Sequence, residues 1–224
     1  MQINNLVLIT GASQGIGRAI ATRVIQDGYR VINLDKKAPK NLLEGETYHS
    51  IDLMDPQAIK ELIPKITKQE PILRLVNNAG FIRPGALENT TLDDFEAVMA
   101  LNLRAPMLLA QQLLPHMRQA KFGRIVSIAS RAALGKEERT VYAASKAGLE
   151  GFTRSLAKEV VSKNITANVL AYGYMDAGMI DVLNDDMKSI VRAMIPANSF
   201  GPTDDILSDL LYLADEKTTY ATGQ

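Results

Sequence analysis

Tyr142-Ala-Ala-Ser-Lys146 places a phenol and an ammonium four residues apart, and Ser130 supplies a hydroxyl upstream of them. On a helix, positions i and i+4 stack on one face. An ammonium there favours phenolate and lowers the tyrosine pKa toward the range a general acid or base uses near neutrality. The pair alone is bland, because ordinary composition produces this spacing by chance. Ser130 gives it weight: it closes the apolar run Arg124-Ile-Val-Ser-Ile-Ala-Ser130. There, the carboxyl end of a strand would aim the hydroxyl at a carbonyl in a ligand crevice. Near the start of the chain, Ile9-Thr10-Gly11-Ala12-Ser13-Gln14-Gly15-Ile16-Gly17 reads as a strand turning through glycines into a helix. One set can move a proton and the other can hold a dinucleotide, which together point to hydride transfer.

A dinucleotide pyrophosphate needs a helix N-terminus with free N–H groups and no Cβ atoms in its way. Gly11, Gly15 and Gly17 follow the apolar run Leu6-Val7-Leu8-Ile9 and precede the helical stripe Ile16, Ile20, Val24. That context weighs against an ordinary glycine-rich turn. Asp35 ends the next apolar run, where a carboxylate can accept ribose hydroxyls and repel a 2′-phosphate. Lys36 and Lys37 pull the other way, but exposed lysines contribute little against a like charge at short range. NAD is therefore expected, with NADP possible.

These groups must be positioned by the surrounding elements. Strand-like runs fall at 6–10, 30–34, 47–52, 73–76, 123–128 and 165–170, with helical patterns at 15–27, 56–68, 92–118 and 141–163. Alternating strands and helices predict an α/β fold, a single doubly wound parallel sheet with helices on both faces. One domain, 1–224, is expected, with 175–200 a helical insertion serving as a substrate lid ahead of a last helix at 204–213. Met175, Met179, Met187 and Met194 could soften a pocket there, and Asp185-Asp186 reads as a solvated charge pair. Thr91 with Asp93-Asp94 reads as a helix start.

Composition excludes several classes. Lys plus Arg and Asp plus Glu both number 25, giving zero formal net charge, so neither nucleic-acid nor membrane binding is expected. The absence of cysteine removes thiolate chemistry. His49 and His116 have no neighbours at metal-ligand spacing, so no metal is expected. With no signal peptide before Leu6 and no apolar run of membrane-spanning length, a cytoplasmic protein is expected.

Taken in order, the motifs resemble the short-chain dehydrogenase/reductases over nearly the whole chain, specifically the 3-oxoacyl reductase-like branch with Thr-Gly-x-x-x-Gly-x-Gly. The resemblance also covers Asn77-Asn78-Ala79-Gly80 after the 73–76 run, and the Asp52-Leu53 pair. It implies strand order 3-2-1-4-5-6 and reduction of a ketone or oxidation of a secondary alcohol with a nicotinamide cofactor. It implies that Tyr142 is the acid/base, Lys146 depresses its pKa and binds ribose hydroxyls, Ser130 orients the carbonyl, and Asn102 holds a relay water. For the cofactor it implies Gly11, Ser13, Gln14, Gly15, Ile16 and Gly17 at the phosphates, Asp35 at the ribose and Asp52 and Leu53 at adenine. Asn78, Ala79 and Gly80 would complete that site with Tyr142, Lys146, Gly173 and Met175. A catalytically weak nucleotide-binding protein of the same fold is the alternative.

The chain departs from the family where Tyr172 stands for the usual proline after the sixth strand and Ala177 for a hydroxyl-bearing residue. The 35–52 segment leaves little room for a helix, and the chain stops at Thr222-Gly223-Gln224 before a seventh strand. Apolar residues on more than one face of the long helices, such as Leu109, Leu113, Leu149, Phe152 and Leu156, lead us to expect a homodimer or homotetramer.

Overall fold

Strands β1 (Leu6–Thr10), β2 (Arg30–Asp35), β3 (Glu46–Ser50), β4 (Arg74–Asn77), β5 (Gly123–Ile128) and β6 (Ile165–Leu170) form one parallel sheet. Its order is β3-β2-β1-β4-β5-β6, as expected. This is a computed structural model, and it describes residues 3–177, 180 and 183–224. The helices are α1 (Gly15–Gln26), α2 (Pro56–Thr67), α3 (Leu92–Met99), α4 (Ala105–Ala120), α5 (Thr140–Val160), α6 (Asp185–Ala193) and α7 (Thr203–Ala214).

Side chains alternate across a strand, and β1 shows the result. Leu6 and Leu8 join a cluster with Ile59 and Ile63 of α2, Leu109 and Leu113 of α4 and Leu156 of α5. Val7 and Ile9 face the other way, onto Ile20 and Val24 of α1 and Ile206 and Leu210 of α7. Both faces are thus covered, which explains why the strands read as unbroken apolar runs.

The order in which strands are added reverses between β1 and β4. In a doubly wound sheet, ligands bind outside the carboxyl ends of the strands at such a switch. The loops after β1, β4, β5 and β6 carry the Gly11–Gly17 turn, Asn78–Gly80, Ser130 and the 171–177 segment. At the opposite end, buried Arg74 and Arg124 donate to the main-chain oxygens of Ala214, Asp215 and Glu216 at the end of α7.

The expected helix at 92–118 is continuous in direction but not in winding. A π turn, Ala100–Arg104, separates α3 from α4. Residues 36–45 cross from β2 to β3 without a helix. The tail lies along the free edge of β6, where Gly223 N donates to Ala167 O and Val169 N to Gln224 O, both at 2.8 Å. No helix among the described residues is long and apolar enough to cross a membrane.

Candidate active site

Thr10 ends β1 and organises the switch point. Its hydroxyl accepts from Asn78 N at 3.0 Å and Ala79 N at 2.9 Å, while Asn78 Nδ2 donates to Thr10 O at 2.9 Å and Gly11 O at 3.1 Å. The loops after β1 and β4 are thereby joined. Gly11 takes φ 68°, which favours glycine. A Cβ on Gly17 would fall 2.1 Å from Gly11 O and 2.4 Å from Asn78 Nδ2, so any larger residue would push α1 off the turn.

At the start of α1, Gln14 has no side-chain capping bond. The first-turn N–H groups of a helix have no intrahelical acceptor, and the helix dipole makes this end attractive to anions. A glycine-lined turn against an uncapped helix start fits a dinucleotide pyrophosphate.

The proposed ribose end is held by carboxylates. Asp35 accepts from Ser13 N at 3.1 Å and from Lys37 N at 3.1 Å. Lys36 Nζ turns to Asp52 at 2.8 Å, and Asp52 also accepts from Met54 N. These hydrogen bonds, Lys36 first, hold the Asp52 carboxyl below the usual carboxylate range.

The four candidate catalytic residues come from three places in the chain. Ser130 follows β5, and its oxygen accepts from Ala132 N at 3.1 Å. Tyr142 and Lys146 lie on the first two turns of α5 and are both buried. Lys146 Nζ lies 5.8 Å from the Tyr142 ring centre and donates to Ile128 O at 2.7 Å. Burial pushes the Lys146 ammonium down to about 8. It also pushes the Tyr142 phenol up, while a side-chain hydrogen bond with Ser130 works the other way.

The tyrosine shift is a correction. Spacing to Lys146 predicted a lowered value, yet with protein groups alone around it the phenol is raised, because desolvation outweighs the Ser130 bond. The same raised pKa keeps Tyr142 protonated, the form that can donate.

Asn102 sits in the π turn and is fully buried. Its Oδ1 accepts from Phe81 N at 3.0 Å, and its Nδ2 donates to Phe81 O at 3.0 Å and Ser145 Oγ at 3.1 Å. Ser145 Oγ in turn donates to Tyr142 O at 2.7 Å. Both ends of the Asn102 amide are therefore engaged with protein. The amide ties the loop after β4 to α5, and a relay water needs another acceptor on this residue. Its main-chain carbonyl would find its α-helical donor at residue 106, a proline without an N–H. A Cβ on Gly80 would come 3.1 Å from Asn102 Oδ1 and 3.5 Å from Lys146 Nζ, which places Gly80 at the floor of this cluster.

Some expected residues lie elsewhere. Met175 is buried in the cluster over α1 and α7, and a Cβ on Gly201 would meet its sulfur at 2.7 Å. Leu53 belongs to the core on the other face. Both side chains are thus packed in the core. Met187 and Met194 are exposed on and beside α6, so they and Met175 do not line one pocket among the described residues; Met179 lies outside them. Tyr172 donates to Asp209 of α7 at 2.7 Å, which makes it a tie between loop and helix. Gly173 is exposed after β6.

Thr91 starts a helix as read, and Asp185-Asp186, read as a solvated charge pair, also lies at a helix start. Thr91 caps α3 over Asp93 and Asp94, and Asn184 caps α6 with Asp185 and Asp186 in its first turn. The spacing of Leu109, Leu113, Leu149 and Leu156 suggested an interface, but all four are buried within one chain.

Residues 5–188 match the family model described as short chain dehydrogenase. The chain is similar to 3-oxoacyl-(acyl-carrier-protein) reductase FabG of Salmonella typhimurium, 34% identical over 98% of the chain and 93% of the relative. The Staphylococcus aureus reductase of the same name is 33% identical over 100% and 96%. Among solved structures, it is similar to a protein from Beutenbergia cavernae described as an NAD(P)-dependent gluconate 5-dehydrogenase with bound NADP. That match has a TM-score of 0.89 and 28% identity, covering 98% of this chain and 93% of the other.

Proposed function

The chain belongs to the short-chain dehydrogenase family and is an NAD(P)-dependent oxidoreductase, and on that premise we propose that Tyr142 is the proton donor and acceptor at a substrate carbonyl or alcohol. The observation that carries this reading is the convergence of buried Tyr142 and Lys146 with Ser130 and Asn102 beside a glycine turn that leaves a helix start open.

In the reducing direction the Tyr142 hydroxyl passes its proton to the substrate oxygen. The Ser130 hydroxyl hydrogen-bonds the same oxygen and steadies the negative charge growing on it. Lys146 stabilises the phenolate left behind and binds ribose hydroxyls. Asn102 positions α5 through Ser145 and holds a relay water on its main-chain carbonyl. The nicotinamide cofactor, when bound, supplies the hydride chemistry. Gly11, Ser13, Gln14, Gly15, Ile16 and Gly17 would hold its phosphates, Asp35 its ribose, and Asp52 with the Leu53 main chain its adenine. Asn78, Ala79, Gly80, Gly173 and the Met175 main chain would complete its bed.

For the cofactor we favour NAD. Asp35 stands at the strand end, and Lys36 is taken up by Asp52, which leaves it a poor partner for a 2′-phosphate. For the substrate, the 33–34% identity to 3-oxoacyl reductases puts 3-oxoacyl thioesters first among the ketones to test. The chain is read as one domain, with 175–200 covering the substrate. Exposed Leu92, Phe95 and Met107 on α3 and α4 support a homo-oligomer, at least a dimer. The deciding experiment follows cofactor absorbance with a panel of thioester, sugar and small ketones, using NADH and NADPH in parallel. Turnover of at least one ketone that is lost in Tyr142→Phe is expected; turnover retained by Tyr142→Phe would overturn the assignment.

A further inference from the structure

Behind the glycine turn lies a polar cluster that takes no part in the chemistry above. Glu46, the first residue of β3, has a fully buried side chain. Its carboxylate accepts from Arg18 Nη1 at 2.7 Å and Nη2 at 2.8 Å, from Asn33 Nδ2 at 2.9 Å and from Leu43 N at 3.0 Å. Burial alone would raise its pKa, but the bonds from Arg18, Leu43 and Asn33 keep it below the usual carboxylate range and ionised.

Three of the cluster's outward bonds reach the turn between Gly11 and Gly15, and the other two reach Asn41 and Leu43. Asn33, fully buried in β2, accepts from Ala12 N at 3.2 Å and donates to Ser13 Oγ at 3.1 Å. Arg18 Nη1 donates to Ala12 O at 3.1 Å, and Nη2 donates to Asn41 O at 2.7 Å. Ala12 is thus held at both its N–H and its carbonyl, and Ser13 at its hydroxyl.

We propose that Arg18, Asn33 and Glu46 are positioning residues for the cofactor, a role that rests on the cofactor site assigned above. Glu46 orients the Asn33 amide and the Arg18 guanidinium together, and these fix Ala12 and Ser13 in the conformation that presents the start of α1 to the pyrophosphate. Preorganisation of this kind lowers the ordering cost of binding. The arrangement also commits the Arg18 charge to a bidentate carboxylate, so Arg18 serves the turn and not a cofactor phosphate. A network that only stabilised the fold would leave cofactor affinity of the folded protein unchanged.

The test measures equilibrium binding of NADH and NADPH by cofactor fluorescence to the full-length wild-type chain, Glu46→Gln, Arg18→Met and the double variant, with circular dichroism verifying the fold. Hydrogen bonds to charged groups of this kind are worth about tenfold in an equilibrium constant. Each single variant should therefore weaken the better-bound cofactor about tenfold, with kcat at saturating cofactor changed less than about twofold. The double variant should lose no more than the worse single one, because the residues act as a unit. Folded single variants with unchanged affinity, losses that add in the double variant, or a fall in kcat with affinity intact would each overturn the proposal. If Glu46→Gln does not fold, Arg18→Lys carries the test, since it keeps the charge and gives up the contacts to Ala12 O and Asn41 O; unchanged affinity there would overturn it equally. Absence of binding by the wild-type chain would instead overturn the cofactor site on which the proposal rests.

Discussion

Replacing Lys146 with methionine should make the cofactor-free protein more stable while removing its catalysis. The ammonium is 4% exposed and has one protein acceptor, Ile128 O, with no ion pair among the described residues. Burial lowers its pKa from an ordinary 10.5 to about 8. At about 1.36 kcal/mol per pH unit, that gap represents a penalty of about 3 kcal/mol for keeping the charge inside the folded protein at neutral pH. The direction follows from linkage. Below pH 8 the lysine is charged in both folded and unfolded chains, and the penalty is fully present. Between pH 8 and 10.5 the folded protein has released the proton while the unfolded chain retains it, so stability rises with pH. Above 10.5 the penalty is gone.

Methionine is apolar and of similar length, but it leaves Ile128 O without its donor, a loss of about 1–2 kcal/mol. The net gain at pH 7 should be about 1–2 kcal/mol, or roughly 2–8 °C in Tm for a chain of this size. Thermal unfolding of both proteins without cofactor, at pH 7 and at about pH 10, tests this. The variant should melt higher at pH 7, and its advantage should vanish or reverse at the higher pH. A variant that melts no higher at pH 7, or a gap that does not change with pH, would show that the lysine is accommodated without a charge penalty.

Three further outcomes are expected. Tyr142→Phe should lower kcat about a thousandfold while cofactor affinity, read by fluorescence, stays within about twofold, because only the transferable proton is lost; near-native kcat would refute its role. Asp35→Ala should move the NAD-to-NADP ratio of kcat/KM at least about tenfold toward NADP, since a unit like-charge pair near 4 Å is worth roughly 4 kcal/mol before screening; an unchanged ratio, or a wild-type enzyme several-fold better with NADPH, would assign the choice to other residues. Light scattering at micromolar concentration should give at least twice the mass of the chain, and a monomeric mass would refute association through α3 and α4.

Much of the fold was legible because its signals are local. Six apolar runs separated by helical patterns gave the sheet, and strand ends differed by only one or two residues: β3 runs from Glu46 to Ser50 where 47–52 was expected. Pattern alone could not show what an apolar side chain meets. Leu109, Leu113, Leu149 and Leu156 suggested a partner chain, but α4 and α5 bury them within this one. The π turn at Asn102 was likewise invisible, since its surrounding residues suit an unbroken helix. The Tyr142 pKa was misjudged for a related reason: spacing reveals a neighbouring ammonium, whereas desolvation depends on the whole packed site. The Arg18–Glu46 pair links residues 28 apart, and only the register that sets Val31 beside Glu46 brings them together.

Arg18 behind the glycine turn and Lys146 beside Tyr142 are treated in opposite ways, and the contrast separates support from chemistry. Arg18 is paired, bidentate, with a buried carboxylate, and every donor it uses meets a protein acceptor. That arrangement gives a rigid turn and takes a fixed charge out of play. Lys146 is more deeply buried than Arg18 yet has no carboxylate, only the Ile128 carbonyl. An unpaired buried ammonium is unfavourable for folding alone. It is a useful group where a negative charge must form nearby, on the phenolic oxygen of Tyr142 one helical turn away. The charge on Lys146 is only partly compensated by the folded chain, so a phenolate beside it gains more than it would beside an ammonium already matched by a carboxylate.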